Sequence, residues 1–388
     1  MVLLSCNQNS ENDTNIILID ANKKYPELEL KLSDLADILY IPLENNEIIF
    51  GYPSAGHMLF VYDNKIFIGD QISSDPKLLV YDLNGKHIGT FGSYGRGPGE
   101  YLSIRSFVVD SLTNEVTLYD REQKKFIVYG LDGKFRFEKS LWQINHEQEA
   151  MTEMEIINDD YLLVFNHYSQ LIAERYNQQV LSLGKTMFII DKQTLTEIPF
   201  LSFEYANPRS TSKVVVMNNL TPSKEGIYIT SERSDTIFFM NRNLEIIPKF
   251  RDVTDYANIH IARLFPAIET DRYILFSTEK EYGANTISSP NTIPRRFFAY
   301  EKKLQKLYRL NIDLPVKDED YDRRIHAIMN NRVALDQHTL TLNYNYAALF
   351  LDPDFLFRYN DQLPEELKKI TKHLKEDDNP VVMLMKFK

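Results

Sequence analysis

The chain has 388 residues, 43% of them hydrophobic, and a formal net charge of −11 at pH 7. That acidity excludes a nucleic-acid binder, which needs clustered Lys and Arg to displace phosphate counterions; the pairs Arg295-Arg296 and Arg323-Arg324 are too short to reverse it. No apolar run approaches the ~20 residues that cross a bilayer as a helix, and a single cysteine leaves no intrachain disulfide.

That cysteine is Cys6, in Met1-Val2-Leu3-Leu4-Ser5-Cys6. Leu-Leu-Ser-Cys resembles the lipobox at which bacterial lipoprotein leaders are cut and the cysteine acylated, so Cys6 is the expected lipidation site. The residues before it are too few for a charged start and an apolar stretch, which points to a start further upstream. Residues 7–15 are polar and carry little folding information. Residues 1–15 thus read as a leader remnant and tether, and residues 16–388 as one folded domain.

Residues 38–43 (Ile-Leu-Tyr-Ile-Pro-Leu) read as a strand with no partner nearby. Residues 77–82 and 86–91 read as two strands joined by a tight turn at Leu83-Asn84-Gly85, where glycine takes positive φ at no steric cost. Five of the chain's 14 glycines then fall within residues 89–99. A phosphate-binding loop needs a helix directly after its glycines. Here strand-like residues 104–110 follow, so the loop is expected to cross between two sheets, with Pro98-Gly99 in the middle of a type II turn.

The flanks of this loop recur. Ile66-Phe67-Ile68-Gly69-Asp70 and Leu79-Val80-Tyr81-Asp82-Leu83-Asn84-Gly85-Lys86 are answered by Val116-Thr117-Leu118-Tyr119-Asp120 and Ile127-Val128-Tyr129-Gly130-Leu131-Asp132-Gly133-Lys134. Weaker copies precede turns at Lys192-Gln193, Asn241-Arg242-Asn243 and Glu301-Lys302-Lys303, so residues 82, 130, 191, 241 and 301 mark five similar hairpins. Their spacing suits one four-stranded blade per unit, and strands within residues 332–344 supply a sixth. The 23 Tyr and 23 Phe beside one Trp suit packing between blades. A helix is expected over residues 363–374, with Pro364 in its first turn, acids leading, and Leu367, Ile370 and Leu374 on one face over an apolar patch at the rim. The strand at residues 380–387 is expected to pair with residues 38–43 and remove two exposed edges. The fold class is therefore all-β: a six-bladed β-propeller of four-stranded antiparallel blades, closed by its terminal strands, with a short C-terminal helix at the rim.

Tyr81-Asp-x-x-Gly-Lys86, the pattern Gly-x-x-Gly-x-Gly-Pro-Gly-Glu-Tyr over residues 92–101, and the late Asp377-Asp378-Asn379-Pro380-Val381-Val382 resemble the NHL-like six-bladed β-propeller lipoproteins of Gram-negative bacteria. The resemblance implies an exported, lipid-anchored propeller at the outer membrane, facing the periplasm or the exterior, that touches the membrane through its lipid alone. It assigns no molecular role, because one fold hosts many functions.

In an enzymatic propeller the chemistry sits on the innermost strands, expected here near residues 57–62, 105–110, 151–157, 214–219, 262–268 and 326–334. The polar candidates there are His57, Arg105, Glu153, Glu155, Asn218, Arg263, His326 and Asn330, whose imidazole, carboxylate and amide groups are of the kind that hold a divalent ion. No local spacing gathers them, and a solvated channel is the plainer reading. His87, His146, His167 and His373 are expected to face solvent. Arg96 and Glu100 in the glycine loop are placed to meet a ligand or, more simply, to pin the loop as an ion pair. Tyr168, Tyr176, Tyr205 and Tyr282 are candidate aromatic platforms or plain packing residues. Two functions follow. The first is a non-catalytic module, without cofactor, that binds a glycan, a peptide or an envelope protein through its loops. The alternative is a lyase or lactonase type of enzyme with a divalent metal in the channel.

Overall fold

The computed structural model describes residues 16–45, 58–70, 74–140, 151–166, 187–198, 220–230, 235–255, 262–280, 296–310 and 340–388. The chain begins with β1 (Ile17–Ile19), β2 (Glu27–Leu28), a one-turn helix Leu32–Leu35, and β3 (Ala36–Pro42). None of these three strands pairs with another of the three; each joins the outside of a sheet made much later.

Six antiparallel sheets follow, with strands in chain order from the axis outward. Blade 1 is β4 (Met58–Tyr62), β5 (Lys65–Gly69), β6 (Leu78–Asp82) and β7 (His87–Phe91); the short strands β8 (Ser93–Tyr94) and β9 (Glu100–Tyr101) lie in the crossover. Blade 2 is β10 (Ser106–Asp110), β11 (Glu115–Asp120), β12 (Lys125–Gly130) and β13 (Phe135–Ser140). Blade 3 is β14 (Met151–Ile156), β15 (Tyr161–Asn166), β16 (Met187–Asp191) and β17 (Thr196–Ile198). Blade 4 is β18 (Leu220–Pro222), β19 (Gly226–Ile229), β20 (Thr236–Asn241) and β21 (Ile246–Asp252). Blade 5 is β22 (Ala262–Glu269), β23 (Tyr273–Lys280), β24 (Phe297–Glu301) and β25 (Lys306–Leu310). Blade 6 takes β26 (Leu340–Asn343), β27 (Tyr346–Leu351) and β28 (Val381–Phe387) from the end of the chain and β3 from its start.

The closing pair runs antiparallel from Val381 opposite Pro42 to Phe387 opposite Ala36. This is the expected six-bladed propeller, closed by its two terminal strands. The sequence did not announce the other two early strands. β1 lies parallel to β21 and β2 parallel to β25, so residues 17–42 form a belt across the outer edges of blades 4, 5 and 6. The belt is latched at Ala21, whose N–H donates to Thr254 Oγ1 at 2.8 Å; that hydroxyl in turn donates to Asp252 Oδ1. Arg296 donates to the Ala21 carbonyl and, at 2.7 Å, to Asn22 Oδ1.

Side-chain alternation along each strand feeds two neighbouring interfaces. On β6, Leu78 and Val80 join the cluster shared with blade 2, while Leu79 and Tyr81 join the one shared with blade 6. Six apolar clusters result, one at each blade-to-blade seam. Each fully buried Leu, Val or Phe in them contributes about 1.5–3 kcal/mol.

The outer hairpins repeat in detail. Gly85 has φ +80° and its N–H donates to Asp82 O at 3.0 Å, while Asp82 Oδ1 accepts from the N–H groups of Asn84 and Lys86. Gly133 does the same in blade 2 at φ +79°. In blade 4, Leu244 takes that position at φ 68°, and Asn241 Oδ1 replaces Asp82 as acceptor for two amides. A side chain that catches the turn's amides holds it even where the glycine is gone.

Residues 214–219 and 326–334 lie outside the described residues, and the inner strands are β18 and β26. A tight turn joins β18 to β19, with Ile227 opposite Pro222. The C-terminal helix is Glu365–Thr371, preceded by a second helix, Pro353–Arg358, that Asp352 caps by accepting from Phe355 N at 2.8 Å. Leu367, Ile370 and Leu374 pack with Leu32 and Leu35 over the seam between blades 5 and 6, as the helix's apolar face suggested.

The up-and-down topology divides the connections between two faces. The turns from first to second strand and from third to fourth are tight and share one face, here the base. The other connections join strand ends on the opposite face, among them Ile198 to Leu220, Leu310 to Leu340 and Leu351 to Val381.

Candidate functional site

The inner strands surround the axis, and the polar groups on them are the place to look for chemistry. His57, Asn218, His326 and Asn330 lie outside the described residues, as do Tyr168, Tyr176, Tyr205 and Tyr282. Arg263 stands on β22 opposite Glu279 in the ladder. Arg105 is half-buried just before β10 and its backbone N–H donates to Tyr119 O at 3.0 Å. Among the described residues no group of three or more His, Cys, Asp or Glu converges on one point.

Two candidates do come together. Glu153 and Glu155 stand on β14, two residues apart and so on the same face, while Met154 between them packs into the seam with blade 2. Glu153 Oε2 accepts from Leu220 N at 2.8 Å, which ties blade 3 to blade 4. Glu155 is part-exposed by area, but protein encloses its carboxyl. Burial first, then the Glu153 charge, push its pKa up to about 8 against the pull of Arg242. It is therefore mostly protonated at neutral pH, a state that marks functional carboxyls and also plain buried ones.

Arg242 was not among the sequence candidates. Its Nη1 donates to Ile156 O and Ile157 O, each at 2.8 Å, and its Nη2 to Ser223 O at 3.1 Å, so one guanidinium clasps the base of blades 3 and 4. It belongs to a series, because the residue after the third strand is basic in three successive blades: Lys192, Arg242 and Lys302. Lys192 Nζ reaches Asp110 Oδ2 of blade 2 at 2.5 Å, and Lys302 Nζ reaches Glu269 Oε1 at 2.9 Å. Blades 1 and 2 carry Leu83 and Leu131 there. Aligning the five hairpins exposes the series, which reads as clasps between strand ends.

The glycine loop is fastened to blade 2. Gly97 N donates to Glu100 Oε2 at 2.7 Å, and Glu100 N donates to Gly97 O at 3.0 Å across Pro98-Gly99, with Gly99 at φ +70°, as a type II turn requires. Tyr129 Oη donates to Gly99 O at 2.8 Å, and Gln123 Nε2 to Gly95 O at 3.0 Å. Buried Asp120 accepts from Leu102 N, Ser103 Oγ and Glu122 N. Glu100 thus serves the loop's own Gly97 amide, and Arg96 is exposed.

At the base, where the turns after β18, β22 and β26 meet, there is a small, shallow cleft open to solvent. Lys224, Glu269, Lys302, Tyr344, Asn345 and Phe387 are among its walls. The Glu269–Lys302 pair stands in its wall.

The family model for a domain of unknown function, DUF4934, matches residues 14–386. The chain belongs to the DUF4934 family. A candidate exported protein of Bacteroides fragilis shares 17% identity with this DUF4934 chain at a TM-score of 0.61, over 96% of this chain and 99% of that one. A member of the DUF4221 family from Bacteroides vulgatus shares 9% at a TM-score of 0.50, over 91% and 97%. At these identities the likeness shows a common fold. No curated protein matches. Among the described residues no helix is long and apolar enough to cross a membrane.

Proposed function

We propose that this chain is a binding module of the cell envelope, tethered to the outer membrane by a lipid on Cys6 and offering one face of its ring to a glycan, a peptide or an envelope protein. The observation that carries this reading is that the long connections gather on one face of a closed ring, the face opposite the base. Binding residues favour such connections on a rigid scaffold. The candidate exported neighbour and the NHL-like character of residues 81–101 support the same setting. A metal-dependent lyase or lactonase is the second reading; the neutral Glu155 carboxyl beside the axis favours it as a general acid.

The deciding experiment takes the chain from residue 16, treated with chelator, onto glycan and peptide arrays, with elemental analysis and melting in added Ca²⁺ or Zn²⁺ alongside. Retention of a glycan or peptide that survives chelation is the expected result. A stoichiometric metal together with a raised melting temperature favours the enzyme instead.

A further inference from the structure

The outermost strand of a blade leaves a row of backbone N–H and C=O groups unpaired, and folded proteins guard such edges with a further strand, with charge or Pro, or by keeping them short. Here β1 covers β21 and β2 covers β25. β13 carries Arg136, Glu138 and Lys139, β17 is three residues long, and β3 has Asp37 and Pro42 near its ends. β7 (His-Ile-Gly-Thr-Phe) has none of these guards. Its Ile88 is 47% exposed, Thr90 is exposed, and no strand among the described residues lies beyond it.

The register shows what this edge offers. Tyr101 Oη accepts from Leu78 N at 3.2 Å and donates to Phe91 O at 2.9 Å, so the pair Leu78–Phe91 turns its polar groups inward. Antiparallel neighbours alternate, so Thr90 turns its N–H and C=O away from β6. The side chains around it leave room, and no atom comes within 4 Å of where a Gly89 Cβ would stand. Thr90 is opposite Leu79, which packs toward blade 6, and Ile88 shares its side of the strand. Leu39 of β3 turns back toward blade 1, since its partner Leu384 packs with Leu79 and Tyr81. Ile88 and Leu39 therefore leave apolar surface at the outer seam of blades 6 and 1. In the seam of blades 4 and 5 it is β1 that fills such a place, with Ile17 and Ile19 beside Phe250.

We propose that the outer edge of blade 1 binds an extended peptide segment of a partner protein as a fifth strand, parallel to β7. Thr90 bonds its backbone, and its uncharged, β-branched or apolar side chains lie beside Ile88 and over Gly89. This ring already docks such segments: both edges that carry a fifth strand hold an extended stretch in parallel, two or three residues long, with apolar side chains turned into the seam. The site goes beyond the reading above, which puts a partner on the face of the long connections.

The probe is the synthetic peptide Thr-Asn-Ile-Ile-Leu-Ile-Asp-Ala-Asn-Lys, the sequence of residues 14–23, whose residues 17–19 the ring holds as a parallel strand. Fluorescence anisotropy of the labelled peptide reads its binding to the full chain, and hydrogen exchange reads where it binds. Saturable binding with slowed exchange at Thr90 is expected. Thr90→Pro, which removes the outward N–H and spares the ladder to β6, should weaken binding about tenfold or more, as loss of a hydrogen bond does. Ile88→Lys, a charge of the kind that guards edges, should weaken it severalfold without touching the backbone. Ile247→Lys, equally exposed on blade 4, should leave it unchanged. The proposal is overturned if millimolar peptide does not slow exchange at Thr90, if the peptide only displaces β1, or if both edge variants bind like the parent. A dimer of the chain that Ile88→Lys breaks would give the edge to a second copy and overturn the peptide.

Discussion

Lys192 Nζ of blade 3 lies 2.5 Å from Asp110 Oδ2 of blade 2, with 8% and 3% of the two side chains exposed. A buried pair contributes little net stability against well-packed apolar groups, yet breaking one side leaves an uncompensated charge. Lys192→Met should therefore lower unfolding stability by about 3–5 kcal/mol. Adding Asp110→Asn, which still accepts from Leu112 N, should restore part of that loss. Urea unfolding of the two single variants and the double variant measures the coupling; strict additivity would refute it.

Gly85 should tolerate no side chain. A Cβ there would stand 1.9 Å from Pro42 O, and φ is +80°. The hairpin of blade 1 rests at this point on the end of the closing strand, with Glu44 N donating to Gly85 O at 2.8 Å. Gly85→Ala should cost about 2–4 kcal/mol, backbone clash adding to left-handed strain. Exposed Gln305, at φ 51°, is the converse case, and Gln305→Gly should be neutral or stabilising by up to about 1 kcal/mol. Thermal melts of both variants check the pair.

Glu155 should make stability fall as pH rises. Its folded pKa of about 8 lies above the usual glutamate range. The folded chain thus holds the proton more tightly than the unfolded one, and it loses stability from about pH 4.5 until the carboxyl is ionised above pH 8. Glu155→Gln should be near neutral at pH 4 and gain about 2–4 kcal/mol at pH 9, an amount reduced because the side chain is part-exposed. The difference between variant and parent in urea midpoints across that range reads it; a difference independent of pH would sink the assignment.

Much of the ring is legible in the sequence because each outer hairpin is local. Asp82, Gly85 and Lys86 write their turn within five residues, and residues 130–134 repeat it. Ile17–Ile19 and Glu27–Leu28 are too short to declare themselves, and their partners lie beyond residue 240, so the belt could not be read. The same limit applies to the site. Glu155 is visible as a polar residue on an inner strand, but its neutrality comes from burial at a seam that only folding creates. Arg242 and Glu269 were passed over because a turn residue and a strand's last residue look like solvent-facing positions until the strand ends converge.

Thr254→Ala should loosen the belt without opening the ring. It removes the hydroxyl that takes the Ala21 N–H, which predicts a loss of about 1–2 kcal/mol. Hydrogen exchange should quicken at Ala21 and through β1 but not at β3, whose ladder to β28 is independent of that latch. Equal loss of protection in β3 would show that the belt comes away as one piece.

The belt also orders assembly in time. Blades 1 to 5 each draw four strands from a continuous stretch of chain that can be completed as it emerges during synthesis; blades 4 and 5 then also take up β1 and β2, and blade 6 is incomplete without β3. β3, among the first strands made, finds its partner only when β28, the last, has been produced. Such long-range pairing is slow, so the nascent protein passes through an arc of finished blades that still lacks its last. Loss of the first strands should therefore strike the blades synthesised last and spare those synthesised first.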